Sequence, residues 1–340
     1  MGFISKLRYL LNGPKNTVTK TNTSVKTSTT CHEQNVMLNK NWLTLTQPNF
    51  FGQAHVSPNK RWIVGCSDSG CAGRGGYRES GNGRVVLVDH QSDKTLHELT
   101  SFSRPVDAAA SDTGNYIVHD SGFGSVLQAD IVAIGTDGNE QYRRHYTANV
   151  FNIGLSRCGR YACVQTANAS SEDGNRLEVI DLDLGCTVFS IRPATGWADT
   201  YSFDVDAVGN LKAIGVEHKG LGRFYYSSTG ELQDIQAFKT AQLSKGDYST
   251  KLMAARDLLK STPTLDSANK ALNAADIALA EGAKDRPDWS AVAHRVRGES
   301  YELLGQLPEA LKAFEEALAL NPKVGVQKRV AKIRKKLGAN

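Results

Sequence analysis

Two dipeptides place a histidine next to a carboxylate, His119-Asp120 and Glu217-His218. An imidazole that titrates near neutrality beside a carboxylate is raw material for general acid–base catalysis. Adjacent residues on a strand point to opposite faces, so neither pair is a ready-made dyad. The four become a site only if the fold gathers them into one pocket. Cys66 and Cys71, and likewise Cys158 and Cys163, are separated by four residues. Zinc sites favour shorter spacings with histidine nearby. Cys66 and Cys163 fall in expected strands and read as small core residues, so neither a metal nor a cofactor is expected. The run Cys71-Ala-Gly-Arg-Gly-Gly76 has backbone amides that can cradle an anion. It lacks the Gly-Lys-Ser/Thr ending and the following helix of a phosphate loop, and reads as a hairpin loop. No nucleophile-elbow, His-Glu-x-x-His or Walker pattern occurs.

The elements that would position these residues repeat. Ser57-Pro-Asn-Lys-Arg-Trp62, Ser111-Asp-Thr-Gly-Asn-Tyr116, Ser156-Arg-Cys-Gly-Arg-Tyr161 and Asp206-Ala-Val-Gly-Asn-Leu211 align without gaps, 45 to 54 residues apart. A small polar residue stands five places before a large apolar one. The Ser or Asp can bond nearby amides, and Gly or Asn supplies the left-handed position of a turn. Apolar strands flank each turn, and further strands follow within each repeat, such as 84–89, 126–135, 176–183 and 223–227. Three or four strands in a repeat of this length make a propeller blade. These turns resemble the Ser-Pro-Asp-Gly-Lys-Tyr turn of WD-repeat and related propellers, over about residues 41–238, although the Trp-Asp dipeptide of true WD repeats is missing. The resemblance implies a β-propeller-like domain of about four blades. Asn41–Thr46 is a candidate strand to complete the last blade. Without it the arc is open and its edges need a cover from the helical domain or a second chain. A twisted antiparallel sandwich is the alternative.

After Phe238 the apolar period changes from two to between three and four. Ala268, Ala271, Leu272, Ala275, Ala278 and Leu279 mark one amphipathic helix, and Ala310, Leu311, Phe314, Ala317 and Leu318 another, with Pro308 in its first turn. Gly298, Tyr301, Ala310, Phe314, Ala317 and Pro322 stand where the tetratricopeptide motif has its small, aromatic and proline residues. Residues 291–324 resemble one such repeat, with His294 and Arg297 where Trp and Leu are usual. An earlier copy fits at Leu259, Ala268, Leu272 and Ala275, and a helix over 325–337 caps the array. The resemblance implies a tetratricopeptide-like helical domain over 239–340 that binds a protein or peptide on its concave surface. His294, Arg297 and Tyr301 are its candidate partner-binding residues. The competing reading is that the helices only brace the propeller.

The net charge is +5, but residues 1–36 carry +4 and 323–340 carry +7, which leaves the body between them at −6. No apolar run is long enough to span a membrane. Residues 2–11, with Phe3, Ile4, Leu7, Leu10 and Leu11 at helical spacing, read as a short amphipathic helix ended by Gly13 and Pro14. The polar stretch 13–40 reads as a flexible linker. Residues 2–11 offer a weak membrane contact, and a frayed terminus is the plainer reading. The six cysteines form no disulfide framework for a chain of 340 residues, so a reducing cytoplasm is the expected compartment. The basic C-terminal helix lacks interleaved aromatics, so a specific nucleic-acid partner is not expected, and an acidic partner is. Together these readings make the chain a non-catalytic interaction scaffold or adaptor. An immunity protein that blocks a toxin by surface complementarity is one special case. The alternative is an enzyme with its site at the propeller axis, using His119, Asp120, Glu217 or His218.

Overall fold

Each repeated turn closes as its residue types require. In the computed structural model, which describes residues 35–69, 80–124 and 126–338, the Ser57 and Ser156 hydroxyls accept from the Trp62 and Tyr161 amides at 2.9 Å. Asp206 accepts from Val208 and Asn210, and Ser111 donates to the Asn115 carbonyl. The left-handed residue is Gly114, Gly159 or Gly209 in three copies. In the first it is Lys60, with φ 61°, and not the Asn59 that composition favours. Asn59 is instead committed to the next turn, donating through its backbone and side chain to Asp112.

The turns nucleate four antiparallel sheets. The first contains β1 (Val36–Asn39), β2 (Trp42–Leu45), β3 (Phe50–Val56), β4 (Trp62–Ser67), β5 (Arg84–Asp89) and β6 (Lys94–Leu99) in that order. The second contains β7 (Pro105–Ala110), β8 (Tyr116–Asp120), β9 (Ala129–Ile134) and β10 (Glu140–Tyr146). The third contains β11 (Val150–Leu155), β12 (Tyr161–Thr166), β13 (Leu177–Asp181) and β14 (Cys186–Ile191). The fourth has three strands, β15 (Thr200–Val205), β16 (Leu211–His218) and β17 (Gly222–Ser227). The sheets stack face to face like propeller blades. Alternate residues of the strand after each turn feed different cores. Trp62, Val64 and Cys66 pack with Tyr116 and Val118 of the second sheet. Ile117 of that sheet packs with Ala162 and Val164 of the third, and Tyr161 and Cys163 pack with Ile214 and Val216 of the fourth. The buried Cys66 and Cys163 are the small core residues expected of them.

Three inter-sheet cores for four sheets make an open arc. The strand at 42–45 does not complete the last blade. It pairs with β3, and with β1 it forms a hairpin on the first sheet. That hairpin packs Val36, Leu43 and Leu45 onto Phe50, Ile63, Val86 and Val88, the face that would otherwise end the arc bare. Asp93 anchors it by accepting from the Asn35 and Val36 amides. β1 therefore lies within the stretch 13–40 read as a linker, because four residues, Val36–Asn39, find a paired edge that no local pattern announces. The other end of the arc needs no cover. The outer face of the fourth sheet carries Thr200, Ser202, Asp204, Glu217, Arg223 and Tyr225, with Arg223 and Tyr225 lying over Gly215. The expected helix at 2–11, the rest of the linker and the glycine-rich run at 71–76 lie outside the described residues.

The helical part begins earlier than the sequence pattern indicates. Phe238 lies on α1 (Ile235–Ser244), and its ring sits 4.9 Å from that of Phe224, so it joins the core of the last sheet. Then come α2 (Tyr248–Ser261), α3 (Leu265–Ala280), a single 3₁₀ turn at Ala283–Asp285, α4 (Pro287–Leu303), α5 (Leu307–Leu320) and α6 (Gln327–Lys336). The α2/α3 hairpin packs through Leu259, Ala268 and Ala275, three positions of the degenerate copy, with Ala271 in the core where Leu272, the fourth, is only half-buried. In α4/α5 the small residues permit close crossing. A Cβ on Gly298 would stand 2.5 Å from Phe314, which is fully buried. Val324, Val326, Val330 and Ile333 lay α6 against α5, and Leu337, just past its last turn, is exposed. The buried Lys251 of α2 donates to the Gly246 carbonyl at 2.5 Å and to Glu281 after α3 at 2.6 Å, tying the first hairpin to the turn after α1.

Lys60→Gly should stabilise the protein by about 0.5 kcal/mol, because relief of left-handed strain exceeds the extra unfolded-state entropy of glycine. Gly159→Ala should destabilise it by about 1–2 kcal/mol, having φ 85° and Ser111 and Thr113 oxygens 3.1 Å from the added Cβ. Chemical denaturation of both variants checks the opposite signs. Gly298→Ala should cost about 1–3 kcal/mol by the same assay, since the methyl must push Phe314 out of a closed core.

Candidate partner-binding groove

The first helices of the two hairpins and the cap, α2, α4 and α6, present side-chain stripes to one concave groove with a volume of about 820 Å³. Each stripe has helical spacing. α2 contributes Met253, Arg256, Asp257 and Lys260, and α4 contributes Arg295, Glu299, Glu302 and Leu303. α6 contributes Lys328, Arg329, Lys332 and Lys336, and Leu259, Pro263 and Leu307 complete the lining. Packing of α4 against helices on both sides sets which of its stripes faces outward. Ala291 and Ala293 are fully buried against the neighbouring helices, and α6 is held in place by its own apolar stripe.

Two acids of the wall are neutralised internally. Arg295 donates to Glu299 at 2.9 Å and to the Val324 carbonyl at 2.8 Å, which fastens α4 to the chain entering α6. Arg329 donates to Glu302 at 2.9 Å and lies 3.8 Å from Glu299. Arg256, Lys260, Lys328, Lys332 and Lys336 have no carboxylate partner among the described residues, so the groove keeps a positive excess over an apolar floor.

The residues chosen from sequence lie elsewhere. His294 faces α5, 2.8 Å from Glu316, and Arg297 faces α3, 3.1 Å from Asp276. Burial lowers the His294 pKa against the opposing pull of Glu316. Tyr301 packs against the core between α4, α5 and α6. All three stand at the seams between helices and not on the groove. The turn of α4 that carries Arg295, Glu299 and Glu302 is one position out of phase with them. The signal that finds the groove in sequence is the four-residue step shared by Arg295 and Glu299 with Lys328, Lys332 and Lys336.

The catalytic candidates are placed on two sheets and are engaged locally. His119 and Asp120 belong to the second sheet and Glu217 and His218 to the fourth, with the third between them. Asp120 accepts from the Ser103 and Arg104 amides at 2.8 and 2.6 Å and so anchors the chain entering β7. Glu217 accepts from Arg223, and His218 packs on Phe224 and Phe238. Burial, assisted by the Arg104 charge, pushes the His119 pKa down to about 4, and burial also lowers that of His218. A pair the sequence did not single out crosses between sheets, His55 Nδ1 lying 3.3 Å from Asp107 Oδ1. Burial lowers the His55 pKa to about 4 and raises the Asp107 pKa to about 6. At neutral pH this is an uncharged imidazole beside an ionised carboxylate. Among the described residues no three His, Cys, Asp or Glu side chains are grouped to hold a metal, and no helix is long and apolar enough to cross a membrane.

Residues 291–324 match the family model of the tetratricopeptide repeat. That segment is α4, α5 and the chain leading to α6, the hairpin that builds one wall of the groove. Among solved structures the chain is similar to the mitotic checkpoint complex, at 9% identity and a TM-score of 0.36, covering 56% of this chain and 58% of the other. It is also similar to hydrazine synthase of Kuenenia stuttgartiensis (11% identity, TM-score 0.35, 56% and 65% covered). The WD40 domain of Pan2 from Neurospora crassa matches at 8% identity and a TM-score of 0.35, with 56% and 58% covered. The match spans less than two thirds of each of these three chains. No curated protein matches the sequence. The described chain is thus four antiparallel sheets followed by helices of which residues 291–324 match the tetratricopeptide repeat.

The pH dependence of stability follows from the buried histidines. His55 and His119 protonate more readily unfolded than folded, so their contribution is present above about pH 6.5 and lost as pH falls to about 4. Asp107, whose folded pKa is raised, acts in the opposite sense over about pH 4 to 6, offsetting one of the two. The melting temperature should therefore rise with pH through this window, and His119→Gln should flatten the rise.

Proposed function

We propose that the chain is a non-catalytic scaffold that holds a protein or peptide partner in the α2/α4/α6 groove. The observation that carries this reading is the groove itself. The three helices α2, α4 and α6 turn to one groove a lining on which Met253 and Leu303 are exposed and Arg256, Lys260, Lys328, Lys332 and Lys336 have no carboxylate partner among the described residues. A set of helices that served only to brace the sheets would bury its apolar stripes and leave no such surface. Bracing is done by α1 through Phe238, not by α2, α4 or α6.

The propeller-like arc offers further contact surface. Trp42 stacks on Phe51, with ring centroids 5.1 Å apart, and Phe151 stacks on Trp197 at 5.0 Å. All four rings are exposed. Exposed aromatics are the residue types that anchor protein interfaces, and the stacked pairs give rigid area at low entropic cost. Both surfaces favour binding of other proteins over chemistry on a small molecule, and the axial candidates have local partners, Asp120 accepting from the Ser103 and Arg104 amides and Glu217 from Arg223.

Affinity capture from host lysate tests the reading with the full chain. The variant Met253→Asp/Leu303→Asp places charges on exposed floor positions and should reduce recovery of specific partners about tenfold, as expected when an apolar anchor is lost. Arg223→Ala on the polar end of the arc should leave recovery unchanged. Recovery that is indifferent to the groove variant and also to Trp42→Ala and Trp197→Ala would overturn the scaffold reading.

A further inference from the structure

We infer that the groove takes an extended, acidic segment of a partner protein, with glutamates or aspartates at alternate positions. The inference rests on the scaffold reading above and adds the chemistry of the partner. Charge carries the first part. The lining holds seven basic and three acidic side chains, and Arg295 and Arg329 already satisfy Glu299 and Glu302. What remains for a ligand is five cations against Asp257. Concentrating like charges in one concavity costs self-repulsion that a ligand of opposite sign relieves. The body of the chain is acidic, at −6 between residues 37 and 322, so this excess is local to the groove and α6 and does not reflect a generally basic protein.

Spacing carries the second part. Lys328, Lys332 and Lys336 stand one helical turn apart on α6. Four residues of helix rise about 6 Å, and alternate side chains of an extended peptide are about 6.6 Å apart. A strand-like segment laid along α6 therefore brings every second side chain opposite a lysine. The intervening side chains turn toward the floor, where Met253, Leu259, Leu303 and Leu307 provide apolar contact. A nucleic acid would meet the same charges but no aromatic ring to stack on, since the lining contains none. A bilayer is flat, and the lysines line a concave wall.

The test uses the full chain and a fluorescent peptide, acetylated and amidated so that no terminal charge contributes, with glutamate at alternate positions and leucine among the others. Anisotropy should report binding that weakens about tenfold as ionic strength rises from about 50 to about 300 mM, as screening demands. Lys328→Glu/Lys332→Glu/Lys336→Glu should weaken it at least tenfold without lowering the melting temperature, since none of the three lysines has a carboxylate partner among the described residues. Lys94→Glu/Lys212→Glu on exposed positions of the sheets should have no effect, and the glutamine version of the peptide should not bind. Equal binding of the glutamine peptide, indifference to the triple reversal, or displacement of the peptide by a single-stranded RNA of equal charge would each overturn the inference. A lysate partner lost on Met253→Asp/Leu303→Asp but retained by the triple reversal would also overturn it, while leaving the scaffold reading intact.

Discussion

The β region depends on the strand that follows each of the first three repeated turns being buried on both faces. Such a strand cannot be solvated anywhere along its length, so the sheet that contains it must have a neighbour on each side. Trp62 and Ile63, Tyr116 and Ile117, and Tyr161 and Ala162 are adjacent pairs that pack into different cores. That constraint stacks the sheets in chain order. The turns then lock the stacking at one rim. The Trp62 indole donates to the Asp112 carbonyl, Arg157 donates to the Asp112 carboxylate, and the Tyr161 hydroxyl donates to the Gly209 carbonyl. The large residue that ends the first and the third turn thus reaches the next turn, and a motif that is locally a hairpin signal is also a joint between blades.

A stack of two-faced sheets has to end, and the two ends are solved differently. At the first sheet the inner face of the β1/β2 hairpin supplies the missing neighbour. At the fourth sheet the outer face is polar and Gly215 lies beneath Arg223 and Tyr225, so water is an adequate neighbour. The edge of β17 is also closed, because Gln233 donates to the Tyr225 carbonyl and Asp234 accepts from the Tyr225 amide. Both ends of the open arc and its last edge are thus dressed by the chain itself. It also leaves the helices that follow α1 free of structural duty toward the sheets.

That freedom is what the groove uses. In α2, α4 and α6 one stripe is consumed by packing and another is left for solvent or a ligand. Internal ion pairs then divide the charged stripe into two parts. Arg295, Arg329, Glu299 and Glu302 hold the helices at their spacing, and the unpaired lysines and Arg256 face the opening. The same division explains why His294 and Arg297 are not on the groove. They occupy the places of bulky packing residues in the tetratricopeptide pattern, and they remain at helix seams by pairing with Glu316 and Asp276.

Sequence alone determined the local elements. The four turns, the strands beside them and the alternation of helix and turn from Ala268 onward follow from short-range chemistry, namely which residues cap a turn, which tolerate a left-handed backbone and which recur at period two or at a period of three to four. The small residues at Gly298, Ala310 and Ala317 likewise announced a close helix pair before any coordinates. Tertiary structure decided what distance in the chain conceals. Whether Trp42–Leu45 closes a ring or covers its own sheet depends on which edge is nearer in space, and a four-residue strand carries no record of its partner. Whether Phe238 belongs to a sheet core or a helix depends on packing against Phe224. Whether Arg295 or its neighbour His294 faces a ligand turns on a rotation of about 100° about one helix axis, set by the neighbours of α4 and not by α4 itself.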